Sequence, residues 1–512
     1  MNGAESLVHT LLAGGIDTVF ANPGTSEMHF VAALDRIPGL DCVLCLDEGV
    51  VAGAADGYWR MAGRPAATLL HCGPGLANAL SNLHNARRAR SGIVNVVGDQ
   101  ATYHRPLDPP LTADTEGWAR PVSAFVRTAT SAARVGHDAA AAIEAAGTGH
   151  GQVATLVLPA DTAWDEGGEI GAPKPPPPRA LPDVQAIERV AKALRSGRRV
   201  TLLLGGSAMR ERPLALAAGI AAATGARLHA EMFNARIERG AGRFPITRIP
   251  YAIDKALEML AGTEDLVLVE ATPPVSFFAY PGKRGRLWPD DCTITTLARP
   301  EQDGAAALAA LADLLGAKPA PAPRREKPLP STGKVAPEAF AASLGALLPD
   351  NAIVVDEGIS FARGLFPATE GAAPHDWVAL GGGAIGDGIP LSLGTAIGAR
   401  DRRVVALQAD GSAMYTISGL WTAARCGLDI TYVVFANRKY AILLHELAGV
   451  GANPGRTALD MLDIGRPDLD FVRIAEGMGV AAARAEDLGR FNDLFTASIG
   501  RKGPFLIELS IG

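Results

Sequence analysis

Short apolar runs rich in Val, Ile and Leu recur along the chain, each broken by glycine or a polar residue and followed by a stretch of helical composition. Runs of that length read as strands of a buried parallel sheet, and the stretches between them as crossover helices. In the first third the strands are Thr18–Phe20, Cys42–Leu46, Ala66–Leu70 and Ile93–Val97, with helices over residues 5–14, after Thr25 or Ser26, after Glu48 and from Leu76. Val200–Leu204 and Leu266–Glu270 follow in the middle. The last third has Ala352–Val355, Val404–Gln408 and Ile430–Phe435, with Tyr415–Cys426 a helix stopped by Gly427. Such alternation predicts an α/β fold of three doubly wound domains with parallel sheets. Open sheets of this kind bind ligands beyond the carboxyl ends of their strands. Asn22, Glu48 and His71 stand at such ends in the first sheet, Asp410 and Asn437 in the last.

Two segments break the alternation. Residues 166–182, with Pro175 to Pro178, and residues 317–334, alternating Ala-Pro with basic residues, read as linkers. They divide the chain into domains at 1–165, 183–316 and 335–512, a number that suits 512 residues. A net charge of −6 gives no basic footprint for nucleic acid or an anionic membrane. No apolar stretch reaches the ~18 residues of a membrane span, and no signal pattern opens the chain, so a cytoplasmic protein is expected. Cys42 and Cys45 form a C-x-x-C, but within Asp41–Leu46 they read as part of a buried strand with the two sulfurs on opposite faces.

The polar strand ends carry the candidate chemistry. Asp410-Gly411-Ser412 follows one strand and Asn437 the next, which places two hard oxygen ligands side by side, suited to Mg²⁺ or Ca²⁺ with a diphosphate completing the shell. Gly411 lets the backbone approach a phosphate, Ser412 offers a hydroxyl, and the following helix start offers free N–H groups. Taken alone, Asp-Gly-Ser is also an ordinary strand-turn-helix corner. Glu48 reads equally as an acid favoured by a helix dipole, and His71 as a histidine satisfied by backbone. Gly205-Gly206-Ser207 after a strand is a weak dinucleotide signal, short of G-x-G-x-x-G.

In combination these motifs resemble the thiamine diphosphate (ThDP) enzymes. Asn22-Pro23-Gly24-Thr25, Glu48 at a strand end, Ala54-Ala55-Asp56-Gly57-Tyr58 and Gly73-Pro74-Gly75 with Asn78 match, in order, the pyrimidine-binding domain of that family. Asp410-Gly411-Ser412 with Asn437 matches its diphosphate-binding domain, with Ala409 where most members have Gly. The resemblance implies ThDP and Mg²⁺ as cofactors, the metal held by Asp410, Asn437 and the carbonyl of Lys439. It implies that Glu48 hydrogen-bonds N1′ of the aminopyrimidine, that a backbone carbonyl, here Gly383, meets N4′, and that Ile385 props the cofactor into a bent shape. Further cofactor contacts fall on Asn22, Pro23, Gly24, Asn78, Ile359, Ser360, Gly411, Ser412, Tyr440, Ala441 and Ile442.

Around His71 the chain is most similar to benzoylformate decarboxylase, whose matching histidine, with a serine matching Thr25, moves protons near the reacting carbon. That enzyme's second histidine has no counterpart in Pro274–Gly282, leaving Tyr280, His104 or His445 as substitutes. Gly73-Pro74-Gly75 is similar to acetolactate synthase-like proteins, but the segment after Tyr440 lacks their Met and Trp. The implied activity is a 2-oxo acid decarboxylase or carboligase, benzoylformate decarboxylase-like, with an acetolactate synthase-type carboligase as the alternative and a ThDP-binding protein without catalysis as a third reading. The middle domain either binds FAD or ADP, as in some relatives, or is structural. The resemblance also implies a homodimer or homotetramer with active sites at the subunit interface.

Overall fold

Six parallel strands form the first sheet of the computed structural model, which describes residues 1–511. They are Thr18–Ala21 (β1), Asp41–Leu44 (β2), Ala66–Leu70 (β3), Ile93–Asp99 (β4), Phe125–Thr128 (β5) and Val153–Pro159 (β6), in the order β2-β1-β3-β4-β6-β5. The chain winds outward in opposite directions from β1 and β3, so the ligand crevice of this sheet lies between those two strand ends. β2 differs from expectation. It is an edge strand and not a buried one, with Cys42 exposed and Cys45 buried, and both thiols are free. It also stops at Leu44, because Asp47 turns away to accept the N–H groups of Gly49 and Val50 and so caps the helix Glu48–Ala62. The next helix begins at Cys72 rather than Leu76, with Pro74 in its first turn, where the missing N–H has no intrahelical partner to lose.

Val200–Leu204 (β7) and Arg227–Ala230 (β8) begin the middle sheet, after which Arg236–Arg239 (β9) leaves it. Thr247–Arg248 (β10), Asp265–Val269 (β11) and Thr293–Ala298 (β12) complete the order β10-β8-β7-β11-β12. The last sheet contains Ala352–Glu357 (β13), His375–Ala379 (β14), Val404–Ala409 (β15), Ile430–Ala436 (β16), Ala481–Ala485 (β17) and Phe505–Ser510 (β18), all parallel. β9 joins its edge antiparallel to β14, pairing Arg239 with His375. The winding here reverses between β13 and β15.

The expected helix Tyr415–Cys426 is present but shorter, spanning Gly419–Arg425. Asp410–Ala413 and Gly419–Arg425 are separate pieces joined by a tight turn at Met414–Thr416. Thr416 donates to Gly386 O, and Gly419 packs so closely on Ile389 that a Cβ there would meet its side chain at 2.7 Å, so tertiary packing overrides the local pattern.

Small residues bring the first and last units into contact. Helix Glu48–Ala62 crosses helix Gly388–Gly398 with Gly57 against Leu391 O and Gly394 against Ala54 O, where a Cβ would lie at 2.1 and 1.8 Å. A buried ion pair, Arg60 with Asp56 at 2.6 Å, sits on this seam, and Arg60 Nη1 also donates to Ala379 O. The guanidinium and the carboxylate satisfy each other within the seam, so breaking the pair would leave a buried charge uncompensated. Among the described residues no helix is long and apolar enough to cross a membrane.

Candidate active site

Two groups of predicted residues sit at two sheet edges. At the winding reversal of the last sheet, Asp410 is buried at the end of β15. Its Oδ1 accepts Gly411 N at 2.8 Å and its Oδ2 accepts Arg438 N at 2.6 Å. Burial raises its pKa above the usual aspartate value, against those N–H donors, which lower it. Arg438 adopts φ 59°, a left-handed turn that lets Asn437 and Lys439 face the same cleft as Asp410. Ile359, Ser360, Ile385, Gly411, Ser412, Tyr440, Ala441 and Ile442 line that cleft with them. This donor set, a carboxylate and an amide oxygen beside a helix start, fits a hard divalent ion and a diphosphate. Gly411 leaves no space for a side chain, since a Cβ would stand 2.5 Å from the Tyr440 ring.

The glycine run before helix Gly388–Gly398 is held from two sides. Glu357, fully buried, accepts Gly386 N at 2.6 Å, Asp387 N at 3.3 Å and Gly388 N at 2.6 Å. Burial pushes its carboxyl up to about 7 despite these three donors. From the first unit, Asn82 donates to Asp387 and Asn85 to Ala384 O. Gly383, in left-handed backbone at φ 81°, lies outside the cleft lining and against Phe277 of the middle unit.

At the other edge Glu48 is buried, and Asn78 Nδ2 donates to its Oε2 at 3.0 Å. Among the described residues nothing donates to Oε1, and a Cβ at Gly75 would come within 2.8 Å of it, so that face is clear for a ring nitrogen. Asn22 follows β1, its N–H bonded to Leu69 O of β3, across the winding reversal of the first sheet. Pro23 and Gly24 continue from it. Thr25 is exposed, whereas Ser26 turns inward to Glu27 and lies 3.5 Å from His71 Nδ1. Glu27, buried, accepts Gly24 N at 2.7 Å and pairs with His71 Nδ1 at 2.9 Å. Cys72 Sγ stands 3.1 Å from Ser26 Oγ, its thiol pushed up to about 11 by burial. His104 and His445 are exposed side chains.

Glu27, Glu357 and Phe277 are the participants that strand-end reasoning passed over. Glu27 carries a weak trace in its position three residues after Gly24, as in a capping box. None of Asn22, Glu48, His71 or Asn78 lines the Asp410 cleft.

Residues 1–118 match the N-terminal TPP binding domain of thiamine pyrophosphate enzymes, and residues 364–509 match the C-terminal TPP binding domain. A Mycobacterium tuberculosis protein provisionally named acetolactate synthase large subunit IlvX is 51% identical over 100% of this chain and 99% of its own length. Benzoylformate decarboxylase of Pseudomonas aeruginosa is 28% identical, over 97% of this chain and 96% of its own. The structure of a Rhodococcus jostii ThDP-dependent 4-hydroxybenzoylformate decarboxylase superposes with a TM-score of 0.85 at 24% identity, covering 100% of this chain and 99% of that one, a likeness of fold.

Proposed function

The chain belongs to the thiamine pyrophosphate enzymes, of the decarboxylase and acetolactate synthase type, and from that premise we propose that it decarboxylates a 2-oxo acid with Mg²⁺-bound ThDP. Asp410, Asn437 and the Lys439 carbonyl would hold the metal, whose charge would offset that of the diphosphate. Glu48, with Asn78 fixing one carboxylate oxygen, exchanges a proton with the pyrimidine ring through the other. When bound, ThDP would supply the nucleophile and electron-sink chemistry for loss of CO₂ from a 2-oxo acid. His71 then delivers a proton to release the aldehyde, held by Glu27 at Nδ1 so that Nε2 is left for the substrate.

The observation that carries this reading is the His71–Glu27 pair at the winding reversal of the first sheet, an imidazole nitrogen 2.9 Å from a buried carboxyl oxygen. The benzoylformate decarboxylase relative favours an aryl side chain on the substrate, and the acetolactate synthase name of the Mycobacterium relative favours carboligation as the second reading. CO₂ release across a panel of aryl and alkyl 2-oxo acids, with aldehyde and acetolactate measured in parallel, tests both. No CO₂ from any member would overturn the proposal, and acetolactate in place of aldehyde would select the second reading.

The Asp410 cleft has no residue of the Glu48 group in its lining, and we assign the Glu48 edge of one chain to the Asp410 edge of a second copy.

A further inference from the structure

Beside the Glu48 edge, donor atoms of three chemistries converge. The carboxylate of Glu27, Nδ1 of His71 and Sγ of Cys72 lie within 4.8 Å of one another. Nδ1 is 2.9 Å from Glu27 Oε2, while Ser26 Oγ stands 3.1 Å from Sγ and 3.5 Å from Nδ1. Tetrahedral coordination with bonds of about 2.0–2.3 Å sets donor atoms roughly 3.3–3.8 Å apart. Nδ1 and Oε2 lie closer together than that and Sγ lies within 4.8 Å of both, so side-chain rotation must bring the three onto one ion.

The fold has cleared the place for this group. A Cβ at Gly24 would lie 2.1 Å from His71 Nδ1, and one at Gly98 would lie 1.7 Å from Glu27 Oε1. Neither glycine has left-handed backbone, so room for the cluster, and not a turn, explains both. Glu27 and Cys72 are buried, and the His71 side chain, 24% exposed, leaves one side open to solvent. A thiol beside an imidazole selects borderline and soft ions over Mg²⁺, which the hard oxygens of Asp410 and Asn437 suit.

We propose that Glu27, His71 and Cys72 form a second metal site, for a transition-metal ion of the Zn²⁺ class, with the Ser26 hydroxyl or a water as fourth ligand. The sulfur–metal bond forms as the thiol proton leaves to solvent, so binding tightens as pH rises. An ion there takes His71 out of proton transfer and makes the site inhibitory. That consequence rests on the function proposed above; the site itself does not.

Co²⁺ titration of the full chain in excess Mg²⁺ tests the site by absorption. One Co²⁺ per chain should bind with a sulfur-to-cobalt charge-transfer band that Zn²⁺ displaces. Cys72→Ser, close in shape, should lose the band and about tenfold or more in affinity, its fold checked by circular dichroism. No band in the wild type, or an unchanged band in Cys72→Ser, would overturn the site. Zn²⁺ should suppress wild-type turnover and spare that of Cys72→Ser; bound Zn²⁺ without suppression would refute the inhibitory role and leave the site standing.

Discussion

Asp410 accepts the backbone N–H of Arg438 at 2.6 Å, a bond that ties the end of β15 to the end of β16 and fixes the turn presenting Asn437 and Lys439. One carboxylate thus serves the backbone while remaining the principal negative charge of the cleft. Asp410→Ala should lose both roles and weaken ThDP binding in Mg²⁺ by about 100-fold or more. Asp410→Asn retains one acceptor for the Arg438 N–H, so its melting should stay near wild type while Mg²⁺-dependent affinity still falls. Calorimetric titration beside thermal melting checks the split, and wild-type ThDP affinity in Asp410→Ala would remove the assignment.

Glu48→Gln keeps the shape of the side chain and loses the acid. ThDP affinity should change by no more than a few-fold, whereas turnover should fall about 100-fold or more, the usual scale of a lost acid–base group. Proton exchange at C2 of bound ThDP, followed by NMR, should slow in parallel. Wild-type exchange in this variant would make Glu48 a helix-start acid only.

Gly98→Ala probes the space reserved for Glu27. The added methyl would lie 1.7 Å from Glu27 Oε1 among buried atoms, so the carboxylate must move. A destabilisation of roughly 1–3 kcal/mol is expected from such overpacking, with a fall in turnover as His71 loses the carboxylate that holds its Nδ1. Denaturant melts and rate profiles read the two effects separately, and a neutral outcome in both would mean the pair is dispensable.

Glu357 links stability to pH. Its folded pKa is raised from 4.5 to about 7 by burial, so folding favours the neutral acid. The stability it contributes is complete below about pH 4.5 and is lost as pH rises through about 7. Relative to Glu357→Gln, whose side chain does not titrate, the wild type should lose melting temperature across that window. Parallel curves for the two proteins would contradict this.

A chain that needs a second copy to complete its site should sediment as a dimer or larger at micromolar concentration. Dilution into monomer should abolish turnover. An active monomer would refute the two-chain site.

Much of this was legible because strand ends are. Asp410 and Asn437 directly follow the ends of β15 and β16, and Glu48 comes four residues after β2, since a buried strand must stop where its sequence turns polar. The late start of the helix at Gly419 and not Tyr415 was not legible, because it follows from Gly386 and Ile389 packing across from another element. Cys42 was misplaced for a related reason: whether a strand lies at the centre or the edge depends on which strands flank it, and a short apolar run does not carry that information. Glu27 reads locally as a turn acid. Only the approach of Gly98 on β4 and of His71 after β3 makes it the buried partner of a histidine.

β9 lies between two strands of the middle sheet in sequence yet is bonded to β14 far along the chain. During synthesis it must therefore wait, unpaired, until residues 375–379 have emerged, and the last sheet closes late. A fragment cut at residue 335 would keep the whole Asp410 cleft and leave β14 with an open row of N–H and C=O groups. Such an edge invites strand addition from a neighbouring fragment, so the C-terminal unit expressed alone should aggregate, and supplying residues 236–239 in trans should suppress it.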